Sequence, residues 1–189
     1  MAGEKIRDEI NSKFGDDTVS LHDVAMDPVQ RMTEYKYLIL GIPTWDFGEL
    51  QEDWDANWDA IDTLDLSGIK VAVYGLGDQI GYPEWFQDAL GYLSAKTIVQ
   101  GATAVGAWPN QGFDFTGSKA LNAEETMFVG LPLDDENQRD LADIYISEWC
   151  DQIMCEFDLK KWNYQRQTSN GGKEFRIPLA GYPYNIALF

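Results

Sequence analysis

The sequence predicts an α/β fold, a doubly wound parallel sheet with helices on both faces, and three observations carry that prediction. Short apolar runs of strand length alternate with stripes of apolar residues at helical spacing. The order is strand, helix, strand, as crossover connections between parallel strands require. Two loops that follow apolar strands carry glycine and aromatic residues, where open sheets of this kind bind ligands.

Ile6, Ile10 and Phe14 repeat every fourth residue and Gly15 follows at a C-cap position, so residues 4–14 read as an amphipathic helix. The chain therefore begins inside a helix. Residues 19–24 alternate as a strand does, and Tyr37-Leu38-Ile39-Leu40 is an apolar run of the kind buried on both faces of a parallel sheet. Leu50, Trp54, Trp58 and Ile61 form the next helical stripe, residues 70–74 the next buried strand, and Phe86, Leu90 and Leu93 the helix after it. Residues 103–107 and 127–133 are short strands around an irregular stretch, and Leu141, Ile144, Tyr145, Trp149 and Ile153 mark the last helix. No internal repeat is visible.

At 189 residues the chain has the length of one domain, and 44% hydrophobic with 24% charged residues is the composition of a soluble globular protein without a membrane span. A formal charge of −18 argues against nucleic acid as a partner, because a polyanion is repelled before specific contacts form. The charge is unevenly placed. Residues 1–159 hold 31 of the 32 acids and 9 of the 14 bases, a net −22, whereas residues 160–189 hold one acid and five bases, a net +4. That reversal, in a segment rich in Gly, Asn, Gln and Pro, places a boundary near Lys160 and marks residues 160–189 as a basic, irregular tail foreign to the acidic body. Cys150 and Cys155 stand five apart in a helix, roughly 140° around its axis, which argues against a disulfide between them. Two cysteines and one histidine do not make a closed zinc site, and His22 reads as a structural or surface residue. No signal peptide opens the chain, so a reducing, cytoplasmic location is expected, or the chloroplast stroma for an algal protein whose transit peptide is missing here.

The ligand-side loops are residues 44–50 and 75–82. Gly75-x-Gly77-x-x-x-Gly81 is not a dinucleotide fingerprint, since the third glycine comes one place late. The loops put Trp45 and Tyr82 in connections rather than on core stripes, where two aromatics can either clamp a planar ring or pack on neighbouring helices.

Pro43-Thr44-Trp45-Asp46-Phe47-Gly48-Glu49-Leu50-Gln51, then Gly77-Asp78-Gln79-Ile80-Gly81-Tyr82 and Phe86-Gln87-Asp88-Ala89, resemble in order and spacing the two flavin loops of flavodoxins. Trp108-Pro109, Gly112 to Phe115, Ser118 to Ala120, Phe128 to Leu131 and Asp135 to Gln138 extend the match and resemble the insertion that splits the last strand of long-chain members. The resemblance covers residues 2–159 and implies one non-covalently bound FMN. Trp45 and Tyr82 would stack on its two faces, Asp78 and the backbone of Leu76 and Gly77 would bond its pyrimidine edge, and Gln87 and the backbone of Thr44 would lie nearby. The peptide joining Asp46 to Phe47, ahead of Gly48, corresponds to the one that turns toward the protonated ring in flavodoxins. Asp46 and Phe47 depart from the Asn or Gly that many members carry there, and the Phe side chain makes positive φ costly. The acidic surround implies a low potential, since one carboxylate ~10 Å away at a dielectric of ~20 disfavours the reduced anion by about 1.7 kcal/mol, roughly 70 mV.

The function so implied is a low-potential one-electron carrier and not an enzyme. It would be a monomer serving redox proteins with basic docking surfaces, such as photosystem I and ferredoxin-NADP reductase. The other reading is a flavin-free acidic protein-binding domain or a non-functional truncated flavodoxin. The family's first strand and its phosphate loop are missing from the start of the chain, where Ala2-Gly3-Glu4-Lys5-Ile6 stand. In the family's strand order 2-1-3-4-5 the missing strand lies between residues 19–24 and 37–40, so an open slot in the sheet is expected, with a chain incomplete at its start and poorly able to fold. Filling of that slot by residues 175–179 is disfavoured by Pro178.

Overall fold

The computed structural model describes residues 1–159, 165–168, 174–177 and 184–189. Helix α1 (Ala2–Phe14) buries the every-fourth stripe Ile6, Ile10 and Phe14 and is followed by strand β1 (Val19–Leu21). After a 3-10 turn over Val29–Glu34, β2 (Tyr37–Trp45) runs five residues beyond its apolar run, because Gly41 to Pro43 pair on with Tyr74 to Leu76 and its end folds back on β3 (Glu49–Leu50) as a hairpin pairing Trp45 with Glu49. In α2 (Glu52–Ile61) the Gln51 side chain caps the Asp53 and Trp54 amides, and Trp54 Nε1 donates to the Gly41 carbonyl at 2.8 Å. β4 (Lys70–Leu76), α3 (Asp88–Val99) and β5 (Thr103–Val105) follow. The hairpin strands β6 (Trp108–Pro109) and β7 (Met127–Phe128) precede β8 (Leu131–Leu133) and α4 (Arg139–Glu156).

The last described strands are β9 (Gln165–Thr168), β10 (Glu174–Ile177) and β11 (Ile186–Leu188). The main sheet has the order β1-β11-β2-β4-β5, all parallel. β5 pairs with Lys70–Ala72 of β4 and β8 with Tyr74–Leu76, so the two share one strand position, divided by residues 106–130. Leu38, Ile39 and Leu40 are all fully buried. Successive strand side chains point to opposite faces, so both faces of the sheet are covered. α1 packs on β1 and α4, and α3 on β2 and β4.

The slot expected to stand open is filled. β11 lies between β1 and β2, parallel to both, with Val19 opposite Ile186 and Ile186 opposite Tyr37. This corrects two expectations at once: the sheet has a strand in the first-strand position, and residues 186–188 of the supposedly irregular tail are one of its central members. The physical cause is ordinary. Ile186, Ala187, Leu188 and Phe189 are 0–4% exposed, and Phe189 exchanges backbone bonds with Ile39 and Gly41, so the segment satisfies edges that would otherwise be buried and unpaired. The segment around Phe175 takes another course, as β10 pairs antiparallel with β9. Residues 178–179 and the boundary at Lys160 lie outside the described residues. Cys150 is buried, Cys155 is exposed and neither is bridged. His22 is structural: its Nε2 lies 2.9 Å from the Tyr35 hydroxyl and its ring stacks on Phe189 at 4.6 Å.

Candidate functional site

The carboxyl ends of β2, β4 and β8 converge on one side of the sheet, and a cavity of about 350 Å³ opens there. Its walls bring together Thr44, Trp45, Asp46, Leu76, Gly77, Asp78 and Tyr82 from the two loops singled out in the sequence. Trp45 and Tyr82 are each 41% exposed, so neither is consumed by packing on a neighbouring helix. Phe47, Gly48 and Gln87 are not on the wall.

Each of those three supports it from behind or outside. The turn closing the β2–β3 hairpin is held by a bond from the Gly48 amide to the Trp45 carbonyl at 3.1 Å, with φ of 42° at Asp46 and 91° at Gly48. Positive φ therefore falls on Asp46 and Gly48, and Phe47 avoids the conformation that its side chain disfavours. Glycine at position 48 is also a matter of space, since a Cβ there would lie 3.0 Å from the Asp88 carboxylate and 3.1 Å from Trp85. Phe47 is exposed and stands edge-on to Tyr82 and Trp85, at 6.4 and 5.2 Å between ring centroids, tying the first loop to the second. Gln87 is buried at the start of α3, where its Nε2 donates to the Leu133 carbonyl at 3.0 Å and its Oε1 has no partner. Thr44 Oγ1 accepts from the Ala89 amide at 3.2 Å, fastening the end of β2 to the α3 N-terminus.

The electrostatics are one-sided. Asp46, Asp78, Asp135 and Glu136 line the cavity, and among the described residues no lysine or arginine does. The Gly81 amide, helped by the Asn137 side chain and the Ile80 amide, holds the Asp78 carboxyl below its ordinary value against the opposing effect of burial. Beneath the first loop, burial pushes the Asp88 carboxyl up, opposed by the Lys119 amide at 2.7 Å. Outside Trp45 a groove of about 800 Å³ adds Glu49, Glu52 and Asp55; Lys96, also on its wall, is paired with Asp62 at 2.7 Å and lies over the Trp58 ring. A third cavity, of about 540 Å³, shares Pro43 and Leu76 with the first and is bordered by the first turn of α1 and by Phe189.

Sequence reasoning missed Pro43, Trp85, Phe86, Asp135 and Glu136 as walls. The last two directly follow β8, whose pairing with the end of β4 brings them to the site, and the rule that ligands sit at strand carboxyl ends was the signal available for them. Among the described residues no group of side chains could hold a metal ion, and no helix is long and apolar enough to cross a membrane.

The flavodoxin family profile matches residues 1–149. Flavodoxin 2 of Escherichia coli strain K12 is 54% identical over 156 residues, which are 82% of this chain and 88% of that protein. The flavodoxin of Nostoc sp. strain PCC 7120 is 46% identical over 156 residues, 82% of this chain and 91% of its own. A crystal structure of Fusobacterium nucleatum flavodoxin bound to flavin mononucleotide superposes with a TM-score of 0.74 at 30% identity, covering 80% of this chain and 89% of that one.

Proposed function

Because this chain belongs to the flavodoxin family, we propose that it is a low-potential one-electron carrier holding one FMN non-covalently between Trp45 and Tyr82. The observation that carries the reading is the cavity between two half-exposed aromatics at the strand carboxyl ends. The residues present fit the ring: Trp45 and Tyr82 offer flat apolar faces, and the strand-end backbone at Leu76, Gly77 and Asp78 offers polar groups at the wall. The first turn of α1 borders the adjoining cavity, and a helix N-terminus has backbone amides without intrahelical partners, which suit a phosphate. When bound, FMN supplies one-electron chemistry at a ring these loops shelter. The chain's own part is to stack on the ring, exclude water from its faces and surround it with negative charge. Asp46, Asp78, Asp135 and Glu136 make acceptance of an electron costly, which lowers the potential.

Membership of the flavodoxin family supports carriage of electrons between proteins as the activity. The partners proposed are redox proteins with basic docking faces, photosystem I and ferredoxin-NADP reductase among them. Four carboxylates along the groove beside Trp45, namely Asp46, Glu49, Glu52 and Asp55, favour such surfaces and repel acidic ones. A cytoplasmic monomer is the form in which it would work. The test is to load the chain with FMN, reduce it and follow electron transfer to a basic one-electron acceptor as salt is raised. The rate should fall steadily between 0.01 and about 0.5 M salt as docking is screened. A rate independent of salt contradicts acidic-face docking, and a loaded chain that gives no electron to any acceptor contradicts the carrier role.

A further inference from the structure

Behind the Asp78 loop lies a polar network with a buried centre, Asp134 and Gln79, and an exposed outer member, Asn137. Asp134, 2% exposed, follows β8 directly. Its Oδ2 accepts from the Gln79 amide at 3.1 Å and from Gln79 Nε2 at 2.8 Å, and its Oδ1 accepts from the Glu136 and Asn137 amides at 3.1 and 2.9 Å. Gln79, 3% exposed, uses its remaining Oε1 to accept from the Asp114 amide at 2.6 Å. Asn137 Nδ2 is shared among both oxygens of Asp134 and Oδ1 of Asp78, which lies 2.8 Å away. The same Asp78 oxygen receives the Ile80 and Gly81 amides at 3.0 and 2.7 Å, and the Asp78 carbonyl receives the Tyr82 amide at 3.0 Å.

These bonds run in one direction, from a strand end to a clamp residue. Asp134 is fixed by β8, Asn137 is fixed by Asp134, and Asp78 is fixed by Asn137; the loop from Asp78 to Tyr82 then takes its shape from Asp78. Asp134 and Gln79 are buried, so any other arrangement of that pair leaves a desolvated donor or acceptor unpaired, and Asn137, itself exposed, ties the pair to Asp78. We propose that Asn137, with Asp134 and Gln79, is a positioning residue for flavin binding: it sets the Asp78–Tyr82 loop so that Tyr82 stands opposite Trp45 at the spacing of one ring. Asn137 does not line the ring cavity, so its effect is transmitted through Asp78. The inference rests on the flavin reading of the site.

The experiment is FMN titration of Asn137→Ala beside the parent chain, followed at saturating flavin by the absorption spectrum, the residual flavin fluorescence and the reduction potential. Asn122→Ala, which removes a comparably bonded side chain from the 122–127 turn, serves as control. Loss of the Asn137 Nδ2 bonds to the Asp78 and Asp134 carboxylates should weaken FMN binding by about tenfold. The FMN that remains bound should fluoresce more and show a shifted potential, whereas the control leaves both at the parent values. Gln79→Met, which keeps the backbone donor to Asp134, reads the same network should Asn137→Ala fail to fold, and should give the same signs. A variant that melts earlier but holds FMN with the parent's spectrum and potential overturns the positioning role. A folded parent that binds no flavin overturns the functional reading, and this inference falls with it.

Discussion

Asp78 and Asp88 lie on either side of the loops that form the site, and their surroundings push them in opposite directions. Asp78 is held ionised by the Gly81 amide and by Asn137, so its contribution to stability is present above its ordinary value of 3.8 and is lost as pH falls through its lowered one. Asp88 is the reverse case. Burial raises its value above 3.8, the folded chain binds the proton more readily than the unfolded one, and stability declines as pH rises through that window. Asn keeps the oxygen that accepts from the Lys119 amide. Asp88→Asn should therefore raise the thermal midpoint by about 2–4 °C at pH 7, with the gain fading toward pH 4, as followed by circular dichroism at both pH values. A lower midpoint at pH 7 would mean that the carboxylate, not its shape, is what the loop requires. At this scale the two aromatic wall residues were legible, because Trp45 and Tyr82 stand outside any core stripe. Gln87 was not: a polar residue beside the second loop reads as a contact, and only the fold shows it turned behind the wall onto Leu133.

Most elements were legible for one reason, that apolar runs and helical stripes differ in period. The amphipathic α1 and the buried runs of β2 and β4 were placed within a few residues. β2 was underestimated because Gly41 and Pro43 interrupt its apolar pattern, although residues 41–43 still pair with β4, and its last two residues, Thr44 and Trp45, pair with β3. β11 was missed because its signal is four apolar residues behind Pro183-Tyr184-Asn185, in a segment whose charge and glycine content resemble a loop. Yet the vacancy it fills was plain from the strand order, and an apolar run of matching length was the available candidate. The strand's weight can be measured by removing residues 184–189. Ile186, Leu188 and Phe189 are buried, at roughly 1.5–3 kcal/mol each, and β1 and β2 would both lose a partner. The sum is comparable to the whole stability of a domain, so the shortened chain should lose its cooperative melting transition. Melting at the parent midpoint would show that β11 is dispensable.

At the scale of the molecule, an acidic body presents an aromatic-walled cleft at the carboxyl ends of a parallel sheet in which the strand between β1 and β2 comes from residues 186–188. The sheet fixes β2, β4 and β8; those strands fix the loops; the loops bring Trp45 and Tyr82 to one cavity. Everything proposed of electron carriage depends on one planar ring entering that cleft. The direct measurement is an equilibrium titration of the folded chain with FMN, followed by tryptophan and flavin fluorescence, with Trp45→Ala and Tyr82→Ala beside it. The expected result is one FMN per chain with both emissions quenched, and affinity about tenfold or more weaker in each variant as an aromatic face and its burial are lost. A folded chain that binds no FMN, or binds it equally well without Trp45 and without Tyr82, would contradict the assignment of this cleft as the flavin site.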